Sequence, residues 1–382
     1  MASEISHRVW INARFIDRPT TGVERVAREV LSVIASQMLD EDGCWMTPAG
    51  RCQMILVAPK GGSTTSPWPN LPLRRLGSFD GHAWEQFSLP LITRGEWLIS
   101  LCNTGPLIKR KQIIYLHDAQ PFVIGENFSF PFRTWYRVLY SVAGRCSQHI
   151  LVNSEFTRAE LNRCIGLNIE KMQRCGPGVE HMHRLESSTK ELADLGLTDK
   201  PFILAVSSAN PNKNFRAVVE ATRQLGDDAP MLVIVGQRVQ GHFSPVELES
   251  ERIQHLGFVS DELLVALYRQ AVCLVFPSYY EGFGLPPVEA MSQGCPVIAS
   301  NRSAMPEVCG DAAVFIDPDD PGSLATAMVA IQEDETLREA LRRKGLQNIE
   351  RHSWKKSAES LLNLTTEAAT SHARDSEASS SI

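Results

Sequence analysis

Two carboxylates, Glu281 and Glu289, flank seven residues that include Gly282, Gly284, Pro286 and Pro287, within the stretch "SYYEGFGLPPVEAMSQG" (278–294). The aliphatic run "CLVFPS" before the pair reads as a strand. "PPVEAMSQG" reads as a helix with proline near its start and Gly294 at its stop. The loop 281–285 then lies past the carboxyl end of a strand and at a helix N-terminus. Open α/β sheets bind ligands at such places, and backbone N–H groups there attract phosphate. Carboxylates beside a phosphate would repel it, so Glu281 and Glu289 are read as acceptors of hydrogen bonds from hydroxyls. A ligand with hydroxyls at both ends and phosphates between them is a nucleotide sugar.

Such a loop needs a parallel sheet behind it. Short aliphatic runs alternate with helical patterns along the whole chain, which argues α/β. In the first half the strand candidates are "RVWINARF", "CQMILVAP", "WLISLC", "QIIYLHD" and "HILVNS", and "GVERVAREVLSVIASQML" has helical apolar spacing. In the second half "PFILAVSS", "PMLVIVG", "RIQHLGFV", "CLVFPS", "PVIAS" and "AAVFID" take the same part. The 382 residues, 43% hydrophobic and 21% charged, fit two globular domains. The polar stretch 181–200 marks the seam. We expect two Rossmann-like, doubly wound domains facing across a cleft, over 1–185 and 186–350. A helix over 351–368 closes the chain, and the serine-rich 369–382 reads as disordered. Nine cysteines without a C-x-x-C pair read as reduced thiols. Neither a signal-peptide core nor an apolar span of membrane length is present, so a cytoplasmic protein is expected.

The motif "EGFGLPPVEA" strongly resembles the paired-glutamate motif of the retaining glycosyltransferases of family 4, a GT-B family that includes bacterial α-mannosyltransferases. "SSANPNKNF" (207–215) is similar to that family's phosphate-binding lysine loop, "YLHDAQPF" (115–122) to its His-Asp segment and "VNSEFTRAEL" (152–161) to its serine-bearing turn. "TGVERVAREVL" resembles its first glycine loop, "CGPGVE" (175–180) its interdomain turn, and "HSWKKSAESLL" the helix that crosses back to the first domain. The resemblance implies a role for each matching residue. Glu281 would hold hydroxyls of the donor sugar, with Gly282 in the same loop and the N–H groups of Phe283, Gly284 and Leu285 completing the grip. Glu289 would bind the ribose hydroxyls, and Lys213 would neutralise the departing β-phosphate. Gly22 would let the backbone approach the diphosphate, and His117 would sit near the reacting carbon. Ser208 stands where the family often has an arginine, so a hydroxyl replaces one of two cations; Arg216 and Arg302 are further candidates for that charge.

The resemblance implies no metal and no cofactor. "DPDD" (317–320) precedes "PGSLATAM" and reads as a turn and helix cap rather than a metal-binding D-x-D. "HDAQPF" and "WEQFSLP" look most like mannosyltransferases of exopolysaccharide and O-antigen assembly, which favours GDP-mannose as donor and a saccharide, lipid-linked acceptor. UDP- or dTDP-sugars, a GT-B-fold nucleotide-sugar epimerase and a catalytically degenerate assembly protein remain as alternatives. No nucleic-acid partner is expected. The net charge of −6 divides unevenly: residues 1–185 carry 21 Lys+Arg against 16 Asp+Glu, and 186–382 carry 17 against 28. In the basic half, "FSFPFRTWYRVLYSVAGR" (128–145) places Arg133, Arg137 and Arg145 on one helical face among aromatics. That pattern suits an anionic membrane surface, and it suits equally a helix whose Trp135, Tyr136, Leu139 and Tyr140 pack on the sheet.

Overall fold

The computed structural model describes residues 4–198, 200–206, 210–226, 230–236 and 252–380, with the backbone alone over 371–380. Ser208 therefore lies outside the described residues. The chain divides into two compact units. The first comprises Met1–Val123, Ser129–Pro177 and Trp354–Ile382, and the second Ile124–Phe128 and Gly178–Ser353. The division falls at 177/178, eight residues before the expected boundary at 185/186, so the short helix Glu180–His183 belongs to the second unit.

The first unit is built on a sheet of β1 (Ile5–Asn12), β2 (Cys44–Thr47), β3 (Gly50–Ala58), β4 (Leu73–Arg75), β5 (Trp97–Ser100), β6 (Gln112–Leu116), β7 (His149–Val152) and β8 (Met172–Arg174). Its order is β2-β3-β1-β5-β6-β7-β8, with β4 also paired to β3, and every pair but β2–β3 is parallel. Parallel strands are covered on both faces, which is why they read as unbroken aliphatic runs. The helix Gly22–Gln37 starts with a capping box between Thr21 and Glu24 and buries Val26, Val30, Leu31 and Ile34. The closing helix, Trp354–Ser380, packs against it. Trp354, Ala358, Leu361, Leu364 and Ala368 of the closing helix are buried. The helix begins at Trp354 rather than 351 and runs on to Ser380, which corrects the expectation of disorder from 369.

The second unit carries β9 (Phe202–Val206), β10 (Met231–Val235), β11 (Ile253–Gly257), β12 (Cys273–Phe276), β13 (Val297–Ser300) and β14 (Ala313–Ile316), all parallel, in the order β11-β10-β9-β12-β13-β14. Alternation along each strand feeds two cores: Phe202, Leu204, Leu274 and Phe276 face one, and Ile203, Ala205, Cys273 and Val275 face the other. Strand order reverses between β9 and β12. All nine cysteines are free thiols, buried or half-buried.

Candidate active site

Where a doubly wound sheet reverses direction, the loops leaving the two central strands diverge and open a crevice at their carboxyl ends. The loops after β9 and β12 are the ones that carry Lys213 and Glu281. After β9, a single 3-10 turn, Pro211–Lys213, is capped by Asn210 and followed by Asn214 at φ 55°, a left-handed conformation that asparagine tolerates. The Asn214 amide donates to the Pro318 carbonyl at 2.7 Å and fixes this corner. Two bonds then sew the loops together: Tyr279 N–H donates to the Asn212 carbonyl at 2.7 Å, and Asn212 Nδ2 donates to the Tyr280 carbonyl at 2.8 Å. This lacing brings Lys213 Nζ into an ion pair with Glu281 Oε1. The ammonium also lies 5.6 Å from the centroid of the Phe276 ring.

Glu281 is held by its backbone as well, its N–H donating to Ser303 Oγ at 3.0 Å. Three residues on, Gly284 takes φ 91°, and the helix Leu285–Ser292 begins. Pro286 and Pro287 in its first turn have no N–H, so the backbone donors at this end are those of Leu285, Gly284 and Phe283 before them. Phe283 rests edge-on against His352, with ring centroids 5.4 Å apart. Glu289 sits in the second turn, 5% exposed, with a protein donor on each carboxylate oxygen. His181 Nε2 is 3.1 Å from Oε1, and the Tyr268 hydroxyl donates to Oε2 at 3.2 Å. The two acids thus have different settings: one paired with a cation, the other gripped by an imidazole and a phenol.

The first unit holds the other two candidates. Gly22 is the exposed first residue of the helix Gly22–Gln37, which follows β1 on the side where that sheet's order reverses. His117 follows β6 but is only 3% exposed, stacked on Tyr115 at 4.2 Å. Its Nε2 lies 2.7 Å from the Leu101 carbonyl, so that nitrogen carries the proton, and burial pushes the imidazole down to about 4. Asp118 fixes the next turn by accepting from Gln120 N–H at 2.8 Å.

In the "DPDD" segment Asp320 caps the helix Pro321–Glu333, accepting from Gly322 N–H. Asp317 and Asp319 bind Arg302 at 2.8 and 2.5 Å, which ties up one candidate for the missing cation; Arg216 is exposed. Among the described residues no group of three or more His, Cys, Asp or Glu is placed to hold a metal. The aromatic run forms the helix Phe130–Cys146, in which Leu139 and Tyr140 are buried while Trp135 and Tyr136 pack on the same core. Arg137 donates to the Pro121 carbonyl and Arg145 to those of Ser141 and Ile165. Reading the sequence missed His181, Tyr268, Asn212 and Ser303. Only Asn212 had a local signal, in the turn-forming "NPNKN".

Residues 187–348 match the family described as Glycosyl transferases group 1. The O-antigen chain mannosyltransferase B of Escherichia coli is 30% identical over 225 residues, covering 56% of this chain and 59% of that protein. The O-antigen chain mannosyltransferase RfbU of Salmonella typhimurium is 28% identical over 236 residues, covering 60% and 63%. The chain thus spans about three-fifths of the length of these relatives. Among solved structures, a sucrose-phosphate synthase from Thermosynechococcus elongatus superposes with a TM-score of 0.74 at 17% identity, covering 96% of this chain and all of that one. Anabaena HepE in complex with UDP-glucose gives 0.71 at 14% identity, covering 94% and 99%. The fold is GT-B.

Proposed function

We propose that this chain, whose residues 187–348 form a glycosyltransferase group 1 domain on a GT-B fold, is a retaining glycosyltransferase that uses a nucleoside-diphosphate sugar. The observation that carries this reading is the pairing of Lys213 with Glu281 at the reversal point of the second sheet, two turns from Glu289. In the unliganded state the cation and the acid neutralise each other. A donor lying across the loop divides them, its β-phosphate taking Lys213 and its sugar hydroxyls taking Glu281. As the glycosidic bond to phosphate breaks, charge grows on the leaving oxygen, and Lys213 and the N–H groups of 283–285 are preorganised toward it. The acceptor hydroxyl attacks from the same face, with the leaving phosphate as the proton acceptor. GDP-mannose is the donor we favour, supported by the two mannosyltransferases similar to this chain. A thermal-shift screen of GDP-, UDP-, ADP- and dTDP-sugars tests it, since a ligand at a hundred times its Kd adds about 2.7 kcal/mol of stability. GDP-mannose should give the largest shift; silence across the panel would sink the reading.

We further propose that the acceptor is a lipid-linked saccharide met at an anionic, cytoplasmic membrane face. Among the described residues no helix is long and apolar enough to cross a membrane. The first unit exposes Phe87, Leu91, Ile108 and Phe130, the last of them on the helix whose Arg137 and Arg145 reach the surface. Liposome flotation should show recovery with anionic vesicles that falls as salt rises. Equal recovery with neutral vesicles, indifferent to salt, would leave a soluble acceptor instead.

A further inference from the structure

The grip on Glu289 is more elaborate than a helical glutamate needs. Its two donors come from separate elements, His181 on the helix Glu180–His183 and Tyr268 on the helix Asp261–Gln270. Both are buried, His181 at 3% exposure and Tyr268 at 0%. The short helix under His181 is itself pinned: Glu180 accepts from Ser353 Oγ at 2.6 Å with one oxygen and from Val179 N–H at 3.1 Å with the other. A carboxylate has about four lone-pair directions, two on each oxygen. With one direction on Oε1 taken by His181 and one on Oε2 taken by Tyr268, each oxygen keeps one more. A carboxylate so fixed presents two acceptors side by side, the arrangement that matches two adjacent hydroxyls of one sugar ring. A carboxylate free to rotate would first have to be ordered by the ligand, which weakens binding.

We propose that His181 and Tyr268 are positioning residues that set the Glu289 carboxylate to receive the vicinal hydroxyls of the donor's ribose, and so determine discrimination for ribose over dideoxyribose. This rests on the reading of Glu289 as the ribose ligand. Neither residue touches the nucleotide; both act through the acid. The test is calorimetry with GDP and 2′,3′-dideoxy-GDP, and with UDP and its dideoxy analogue should UDP bind better. Wild type should favour the ribonucleotide by about tenfold or more, the range for hydrogen bonds to a charged acceptor.

In His181→Phe the preference should collapse toward unity through loss of ribonucleotide affinity, with the dideoxy analogue bound as before. His181→Gln, which retains an N–H donor, should restore most of the preference. Tyr268→Phe, nearly isosteric, should reduce it in part and serves also if His181→Phe fails to fold. Equal weakening of both analogues in the variants, or an unchanged preference in both His181→Phe and Tyr268→Phe, would overturn the proposal. A wild type that binds no nucleoside diphosphate, or does not distinguish ribose from dideoxyribose, would instead remove the reading of the site, and this inference with it.

Discussion

Lys213 and Glu281 hold each other in a setting that is mostly closed to water, with side chains 17% and 8% exposed. Removing one partner of a buried pair strands the other's charge. Lys213→Ala should therefore lower stability by about 1–3 kcal/mol as well as slowing transfer roughly 10²–10³-fold. The double variant Lys213→Ala/Glu281→Gln should recover stability in urea titrations without recovering activity; recovery of both would assign the pair a structural role only. His117 makes a different prediction. Its folded value of about 4 lies below the unfolded 6.5, so between those pH values the unfolded chain binds the extra proton. Its contribution of about 3 kcal/mol is present above pH 6.5 and is lost as pH falls toward 4. His117→Gln should flatten the pH dependence of the unfolding midpoint in that window, and a slope as steep as the wild type's would contradict the burial argument. At this scale Glu281 and Glu289 stood out as candidates because glycine, proline and acid spacing is written in one short run, and Lys213 because its loop, 207–215, is similar to a known motif. His181 was not, because the residue that gives it meaning is Glu289, 108 positions away.

The elements that fix the site were legible where their pattern was long. All the aliphatic runs taken for strands became strands. The three strands that were missed, β2, β4 and β8, are three or four residues each and lack the unbroken aliphatic run that marks the equally short β5, β7, β12, β13 and β14. The π-turn Trp84–Ser88 was invisible too; the partners of its buried Glu85, which accepts from Asn12 and Thr104 at 2.8 Å each, lie 73 and 19 positions away. Gly284 shows what a motif glycine does for its element. At φ 91° a side chain is strained, and a Cβ there would come within 2.4 Å of Met305 Cε. Gly284→Ala should lower stability by about 1–2 kcal/mol from the backbone alone. Adding Met305→Ala should relieve the contact but not the strain; full rescue in chemical unfolding would mean that the clash was the whole effect. The helix Pro321–Glu333 is started by its Asp320 cap, so Asp320→Ala should destabilise by about 1 kcal/mol and leave transfer intact. On the metal-free mechanism proposed above, EDTA should leave activity unchanged; loss of activity restored by Mn²⁺ would turn Asp317 and Asp319 into ligands.

At the scale of the molecule, the chain ends inside the unit where it began. Trp354, Leu361 and Leu364 are buried on the closing helix, which packs against the helix Gly22–Gln37. The Trp45 indole donates to Thr366 Oγ1 at 3.0 Å, Gln173 Nε2 to Ser360 Oγ at 2.7 Å, and the Ser357 hydroxyl to the Gly176 carbonyl. The first unit is therefore discontinuous, and about 17 residues of the closing helix, through Thr370, carry the buried contacts described. Its folding must wait for a segment separated from it by the whole second unit, a long loop to close. Leu361→Ala, at a fully buried position, should cost about 2–4 kcal/mol in the first unit. Truncation before Trp354 removes the entire contact and should leave the first unit unable to fold alone, whereas truncation after Thr370 should be tolerated. Native-state hydrogen exchange separates the outcomes: with the shorter chain, protection should vanish from β1, β3 and the helix Gly22–Gln37 while persisting in β9 and β12. Protection retained in β1 would mean that the first unit is complete without its last helix, and that the helix serves some purpose other than closing that core.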